Sequence, residues 1–203
     1  MIVIHIDSME DTAHLKHLYE GLDGITLLYN ESREKVEEVL KTSDDNVVMC
    51  LGHGSGFGLF GAGWHGYVID IHNAHLLKDK KVIGIWCYAS TFADRTGLSG
   101  YFTSMFISNL GEAKGHGFPN NTEEDIFNEI DFFCDQIKGF IQNGTEMSTW
   151  VPILQEVCHK EKDFVRFNYE AMAYFENSGK VFDKENDVEG RWTDDNDFLD
   201  LFD

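Results

Sequence analysis

Residues 46–87 read NVVMCLGHGSGFGLFGAGWHGYVIDIHNAHLLKDKKVIGIWC, and two short apolar runs frame them, Val47-Val48-Met49-Cys50-Leu51 and Val82-Ile83-Gly84-Ile85-Trp86. Continuous apolar runs of this length, bounded by turn residues, read as strands buried on both faces, the habit of a parallel sheet with helices on either side. Chemistry in such sheets gathers at the carboxyl ends of the strands. The first run leads to Gly52-His53-Gly54 and the second to Cys87, so a histidine and a cysteine occupy the same topological position on successive strands. On neighbouring strands these two side chains would form a Cys-His nucleophile pair.

Upstream of this stretch, Ile2 to Ile6 reads as a first strand, and Ser8 with Glu10 and Asp11 reads as the capped, acidic start of a helix running to about Glu20. Ile25 to Tyr29 is a second strand, and Glu31 to Thr42 a helix with Val36, Val39 and Leu40 on its apolar face. Strand, helix, strand, helix, strand is the βαβ rhythm, which places the chain in the α/β class with a mostly parallel sheet. Downstream, the pattern predicts a strand within 100–108, a short helix through about Lys114, a long amphipathic helix from Glu123 to Gln142 capped by Thr122, and helices over 148–158 and 163–177. The expected organisation is an α/β core over 1–118, a helical part over 119–182 packed on it, and an acidic tail over 183–203. That tail carries nine acids against two bases, with Trp192, Phe198, Leu199, Leu201 and Phe202 interspersed, and reads as disordered when free or docked through those apolar residues.

Sixteen basic against 36 acidic side chains give a formal charge of −20, which argues against direct nucleic-acid binding through phosphates and fits a basic substrate, a basic protein partner, or high solubility alone. The opening Met1-Ile2-Val3-Ile4-His5-Ile6-Asp7 lacks the basic region of a secretory signal, and no apolar run approaches the length of a membrane span. A cytoplasmic protein is therefore expected. Cys50, Cys87, Cys134 and Cys158 show no zinc-like spacing and read as free thiols.

Other motifs fail their context tests. Gly56-x-Gly58-x-x-Gly61 is followed by a strand-like segment rather than the helix a dinucleotide site needs, and Gly52-His53-Gly54-Ser55-Gly56 does not centre its serine in a G-x-S-x-G elbow. The pairs His14/His17 and His72/His75, each three apart, lack further ligands nearby and read as surface or structural pairs. A metal-dependent hydrolase built from His53, His65, Asp70 and His72 would need ligands to converge from a glycine-rich loop. Seven glycines between Gly52 and Gly66 make that loop unsuited to a helix or a regular strand.

A cysteine attacks as the thiolate and needs a base or positive charge nearby to lower a free pKa of about 8.5. His53 can supply it, and the N–H of Gly54, with that of Cys87, can form an oxyanion hole. Cys50, inside its strand rather than at its end, reads as a small buried hydrophobe.

An apolar run, then Leu51-Gly52-His53-Gly54, then a second apolar run ending in Trp86-Cys87-Tyr88-Ala89-Ser90 resembles the caspase-like cysteine peptidases, including the CHAT, gingipain and clostripain groups. The likeness covers roughly Met1 to Phe118. It implies a caspase-like three-layer sandwich and a cysteine endopeptidase in which Cys87 is the nucleophile, His53 the general base and acid, and Gly54 an oxyanion donor. It also implies a peptide or protein substrate cleaved after a charged residue; the acidic chain favours a basic one, with Asp70 and Asp94 as pocket acids. No cofactor and no metal are expected. Trp86 departs from the small residue many relatives carry there, and the helical part beyond Pro119 is not a caspase feature. The contrasting reading is a noncatalytic acidic binding protein, a pseudo-peptidase or nucleic-acid mimic, that engages a basic partner.

Overall fold

The computed structural model describes residues 1–7 and 12–176, the Trp64 side chain excepted. The helix start read at Ser8, Glu10 and Asp11 and the tail over 183–203 lie outside the described residues. In chain order the strands are β1 (Ile2–Ile6), β2 (Thr26–Tyr29), β3 (Val47–Gly52), β4 (Gly54–Ser55), β5 (Gly58–Phe60), β6 (Tyr67–Asp70), β7 (Lys81–Ile85), β8 (Ser99–Phe102) and β9 (Ala173–Phe175). The α-helices are α1 (Arg33–Thr42), α2 (Ala89–Thr96), α3 (Leu110–Gly115), α4 (Glu123–Gln142), α5 (Trp150–Val157) and α6 (Asp163–Glu170).

Six strands form the main sheet in the order β2-β1-β3-β7-β8-β9, every pairing parallel except β8 with β9. Side chains alternate between two cores, as the pleat requires. From β3, Val48 and Cys50 face one core and Met49 and Leu51 the other; from β7, Val82 faces the first and Ile83 and Ile85 the second. The first core is closed by Val36 and Leu40 of α1 and Phe92 and Ala93 of α2. The second is closed by Ile126, Ile130, Phe133 and Ile137 of α4 together with Leu154 of α5 and Phe164 of α6. The result is an α/β fold with helices on both faces of a mostly parallel sheet. The helices after Pro119 share the second core with β1, β3 and β7. The cap read at Thr122 is a full capping box, with Thr122 Oγ1 accepting from Asp125 N–H at 3.1 Å and Asp125 Oδ2 accepting from Thr122 N–H at 3.0 Å.

Three local expectations are corrected. The helix expected to reach Glu20 is a 3-10 turn over Ala13–Leu18, in which the buried Leu15 and Leu18 lie three apart, the spacing that a threefold helix eclipses. The helix expected over 163–177 stops at Glu170, and Ala173–Phe175 instead pairs with the open edge of β8, where Phe175 packs on Phe102 with ring centroids 6.0 Å apart. The glycine-rich loop contains β4 and β5, which with β6 make a small antiparallel sheet. Its glycines admit close contacts: a Cβ at Gly58 would lie 2.0 Å from the Ile69 carbonyl oxygen.

Candidate functional site

β3 and β7 are parallel neighbours, with Leu51 paired to Ile85. His53 and Cys87 each stand two residues beyond that couple, so the alternation that sends Leu51 and Ile85 to the second core carries both onto the same side. Both line one small pocket at the carboxyl edge of the sheet, with about 30 Å³ of room, enough for a water molecule. Gly52, Thr12, His14, Phe106, Ser108 and Glu112 also line it.

Cys87 lies at a sharp change of direction from strand to helix. Tyr88, the next residue, has φ 65° in the left-handed region and caps α2. A bulky residue held there costs on the order of 1–3 kcal/mol and persists only where its surroundings impose it. Here the surroundings are the Trp86 carbonyl, which accepts from Thr103 Oγ1 at 2.9 Å, and the Ser90 N–H, which donates to the Thr103 carbonyl at 2.8 Å. Trp86 sits in the opposite core, and its indole N–H donates to the Ser55 carbonyl at 3.1 Å, pinning the β4–β5 hairpin over the sheet. Gly54 is the consequence, since a Cβ there would lie 2.2 Å from Trp86 Cδ1. The Phe60 N–H donates to the His53 carbonyl at 2.9 Å, and Gly54 stands opposite Leu59. Gly54 is thus the non-hydrogen-bonded member of the antiparallel register, and its own N–H points away from β5.

The electrostatics of Cys87 differ from the lowered thiol that the sequence leads one to expect. The residue keeps some solvent contact, yet the thiol is pushed up to about 11: burial is the main cause, a hydrogen bond from the Phe106 backbone N–H works against it, and the Glu112 carboxylate adds to it. Cys50 is wholly buried and its thiol is pushed up to about 12, in keeping with a packing role. All four cysteines are free.

Neither Asp70 nor Asp94 lines the pocket. Asp70 is held in a two-pronged ion pair by Arg33, at 2.5 Å and 2.8 Å, which ties β6 to α1, and Asp94 lies on the exposed face of α2. Among the described residues the carboxylate that lines the pocket is Glu112, whose own sequence context gives no sign of it. Among the described residues no group of three or more His, Cys, Asp or Glu is placed to hold a metal ion, so the set His53, His65, Asp70 and His72 does not converge. His14 and His17 part company: His14 lines the pocket, while His17 Nδ1 lies 3.2 Å from Asp131 Oδ1.

The Thr12 wall of the pocket is set by a buried network at the end of β1. Asp7 Oδ1 accepts from the Thr12 N–H and hydroxyl at 3.1 and 3.0 Å, and Asp7 Oδ2 accepts from Tyr29 at 2.8 Å. Burial alone would raise Asp7, but these hydrogen bonds outweigh it and the carboxyl is lowered. His5, fully buried, bonds Tyr19 at 3.0 Å, and burial holds its imidazole down at about 4. The unfolded chain takes up that proton near 6.5, so stability falls as pH drops from about 6.5 to about 4, by about 3 kcal/mol in total. Urea melts across this window should show the loss, and His5→Gln should diminish it; an equal loss in the variant would exclude His5 as the source.

No family model matches the sequence, and a search of curated proteins finds no match.

Proposed function

We propose that the chain is a cysteine peptidase of the caspase-like type, acting on peptide or protein substrates through Cys87 and His53. The observation that carries this reading is their equivalence: each stands two residues past a paired couple on adjacent parallel strands, and both open on one pocket. His53 takes the thiol proton as the sulfur attacks the carbonyl carbon of the scissile amide. It then hands that proton to the leaving amine as the C–N bond breaks, leaving a thioester on Cys87. Water, giving a proton to His53, attacks the thioester, and the proton returns to the departing sulfur as the acid product forms. Because the thiol rests protonated, the base works in the attack step itself. The Gly54 N–H is free of the β5 ladder; Gly54 does not itself line the pocket, and on this reading it meets the developing oxyanion, a donor role worth roughly 2.7–4 kcal/mol.

The recess beside the sulfur takes an oxygen-sized group, so recognition of substrate side chains falls outside it, where Tyr88, the residue after Cys87, is exposed. A charge of −20 favours substrates with basic residues. A panel of fluorogenic peptides cleavable after Arg, Lys or Asp tests the reading. Cleavage is expected from the wild type and none from Cys87→Ala. Failure across the panel, together with no labelling of Cys87 by peptidyl acyloxymethyl ketones, would refute it.

The raised thiol favours a second reading, a noncatalytic acidic protein on this scaffold that engages a basic partner. It expects no cleavage, and salt-sensitive binding to a lysine-rich protein that survives Cys87→Ala.

A further inference from the structure

One wall of the pocket comes from the segment between β8 and α3, which supplies Phe106 and Ser108, and from the first turn of α3, which supplies Glu112. Glu112 is held in place there. Its Oε2 accepts from the Ser108 backbone N–H at 2.7 Å and from the Ser108 hydroxyl at 3.1 Å, while its own N–H donates to the Asn109 side chain at 2.9 Å. A glutamate in the first turn of a short helix commonly turns back to cap its N-terminus. This one faces the space that Cys87 and His53 also line.

We propose that Glu112 restrains the nucleophile: fixed on the pocket wall by Ser108, its carboxylate opposes negative charge on the Cys87 sulfur. The inference rests on the assignment of Cys87 as the nucleophile. Glu112 acts through Cys87, so it is a positioning residue. The direction is the one like charges give across a small space containing little water. It agrees with the part this carboxylate plays in raising the thiol. Among the described residues, the other titratable side chains lining the pocket are His14 and His53, from the turn after β1 and the end of β3. A site built this way keeps its sulfur protonated at rest. Anything entering the pocket that donates hydrogen bonds to Glu112, or sets positive charge beside it, relieves the restraint and couples occupancy to reactivity.

The test is the rate of iodoacetamide alkylation at Cys87, followed by mass spectrometry on the full chain, against pH, for the wild type, Glu112→Gln and Ser108→Ala. Below its midpoint a thiol alkylates about tenfold faster per pH unit, so the offset between two parallel lines measures the change directly. Glu112→Gln keeps an acceptor for Ser108 and loses only the charge; its line is expected about threefold to tenfold higher at each pH. Ser108→Ala keeps the charge and is expected on the wild-type line. Coincident wild-type and Glu112→Gln lines overturn the proposal. So does an equal rise in Ser108→Ala, because loosening rather than charge would then explain it. No alkylation of Cys87 in any of the three chains overturns it along with the nucleophile assignment. Peptide hydrolysis separates the two ideas. The Gln offset without hydrolysis in any chain supports the restraint and removes the peptidase reading, whereas hydrolysis without an offset does the reverse.

Discussion

Replacing His53 by alanine is expected to lower peptide hydrolysis near pH 7 by about 10³–10⁴-fold, and the part of the deficit due to the lost base is expected to shrink by about tenfold for each unit of rising pH. With the thiol pushed up to about 11 by burial, with the Phe106 N–H opposing and Glu112 adding, only about one molecule in 10⁴ carries a thiolate at pH 7 without help. An enzyme with His53 does not depend on that fraction, because the base removes the proton while the bond to carbon forms. Without His53 the reaction falls back on the thiolate made by hydroxide, whose population grows tenfold per pH unit toward the midpoint. The sign is fixed by the direction of the shift: a raised thiol is silent below its pKa and gains above it. Cys87→Ala has no sulfur to ionise, so its loss shows no recovery with pH. Initial rates from about pH 6 to about pH 10 on one substrate check this. A His53→Ala deficit that stays constant over that range, or the absence of any deficit, would remove His53 from the role of base.

The positions of these two residues were legible because they depend on local pattern. Val47–Leu51 and Val82–Trp86 are long enough and apolar enough to be buried on both faces, and the residue that follows a buried parallel strand falls at the reactive edge. What the pattern does not carry is which distant segments close over that edge. Thr12, His14 and Glu112 arrive from other parts of the chain, and the local spacing of Glu112 behind Asn109 reads only as helix capping. The protonation of Cys87 was out of reach for the same reason, since its neighbours include Phe106 and Glu112. Asp70 was read as a pocket acid without any sign in its own surroundings that Arg33 on α1 takes both its oxygens. In the fold, β4 and β5 hid behind glycines that weaken every strand signal, and β9 hid inside an apolar pattern that continues from α6. Both are placed by tertiary contacts, the Trp86 bond to Ser55 for the first and the open edge of β8 for the second.

Gly52→Ala is expected to cost more than about 4 kcal/mol, enough to unfold most or all of the chain or to expel His53 from the site. Gly52 ends β3, paired with Ile6 of β1, and holds φ 141°, a conformation that side chains rarely adopt. A Cβ there would lie 2.4 Å from the Ile6 carbonyl oxygen and 3.3 Å from its carbon. That neighbour is backbone in a paired strand and cannot rotate aside as a flexible side chain could. Relief requires β3 to twist away from β1 at the residue before His53, so whatever folds is expected to have lost the register that sets His53 beside Cys87. The same substitution at Gly139, inside α4, serves as the control. Nothing lies within 4 Å of a Cβ there, and alanine is favoured over glycine in a helix interior by about 1 kcal/mol, so Gly139→Ala should raise stability. Urea unfolding of both variants decides the matter. If Gly52→Ala melts within about 1 kcal/mol of the wild type, β1 and β3 do not approach as closely as described, and the placement of His53 that depends on them falls as well.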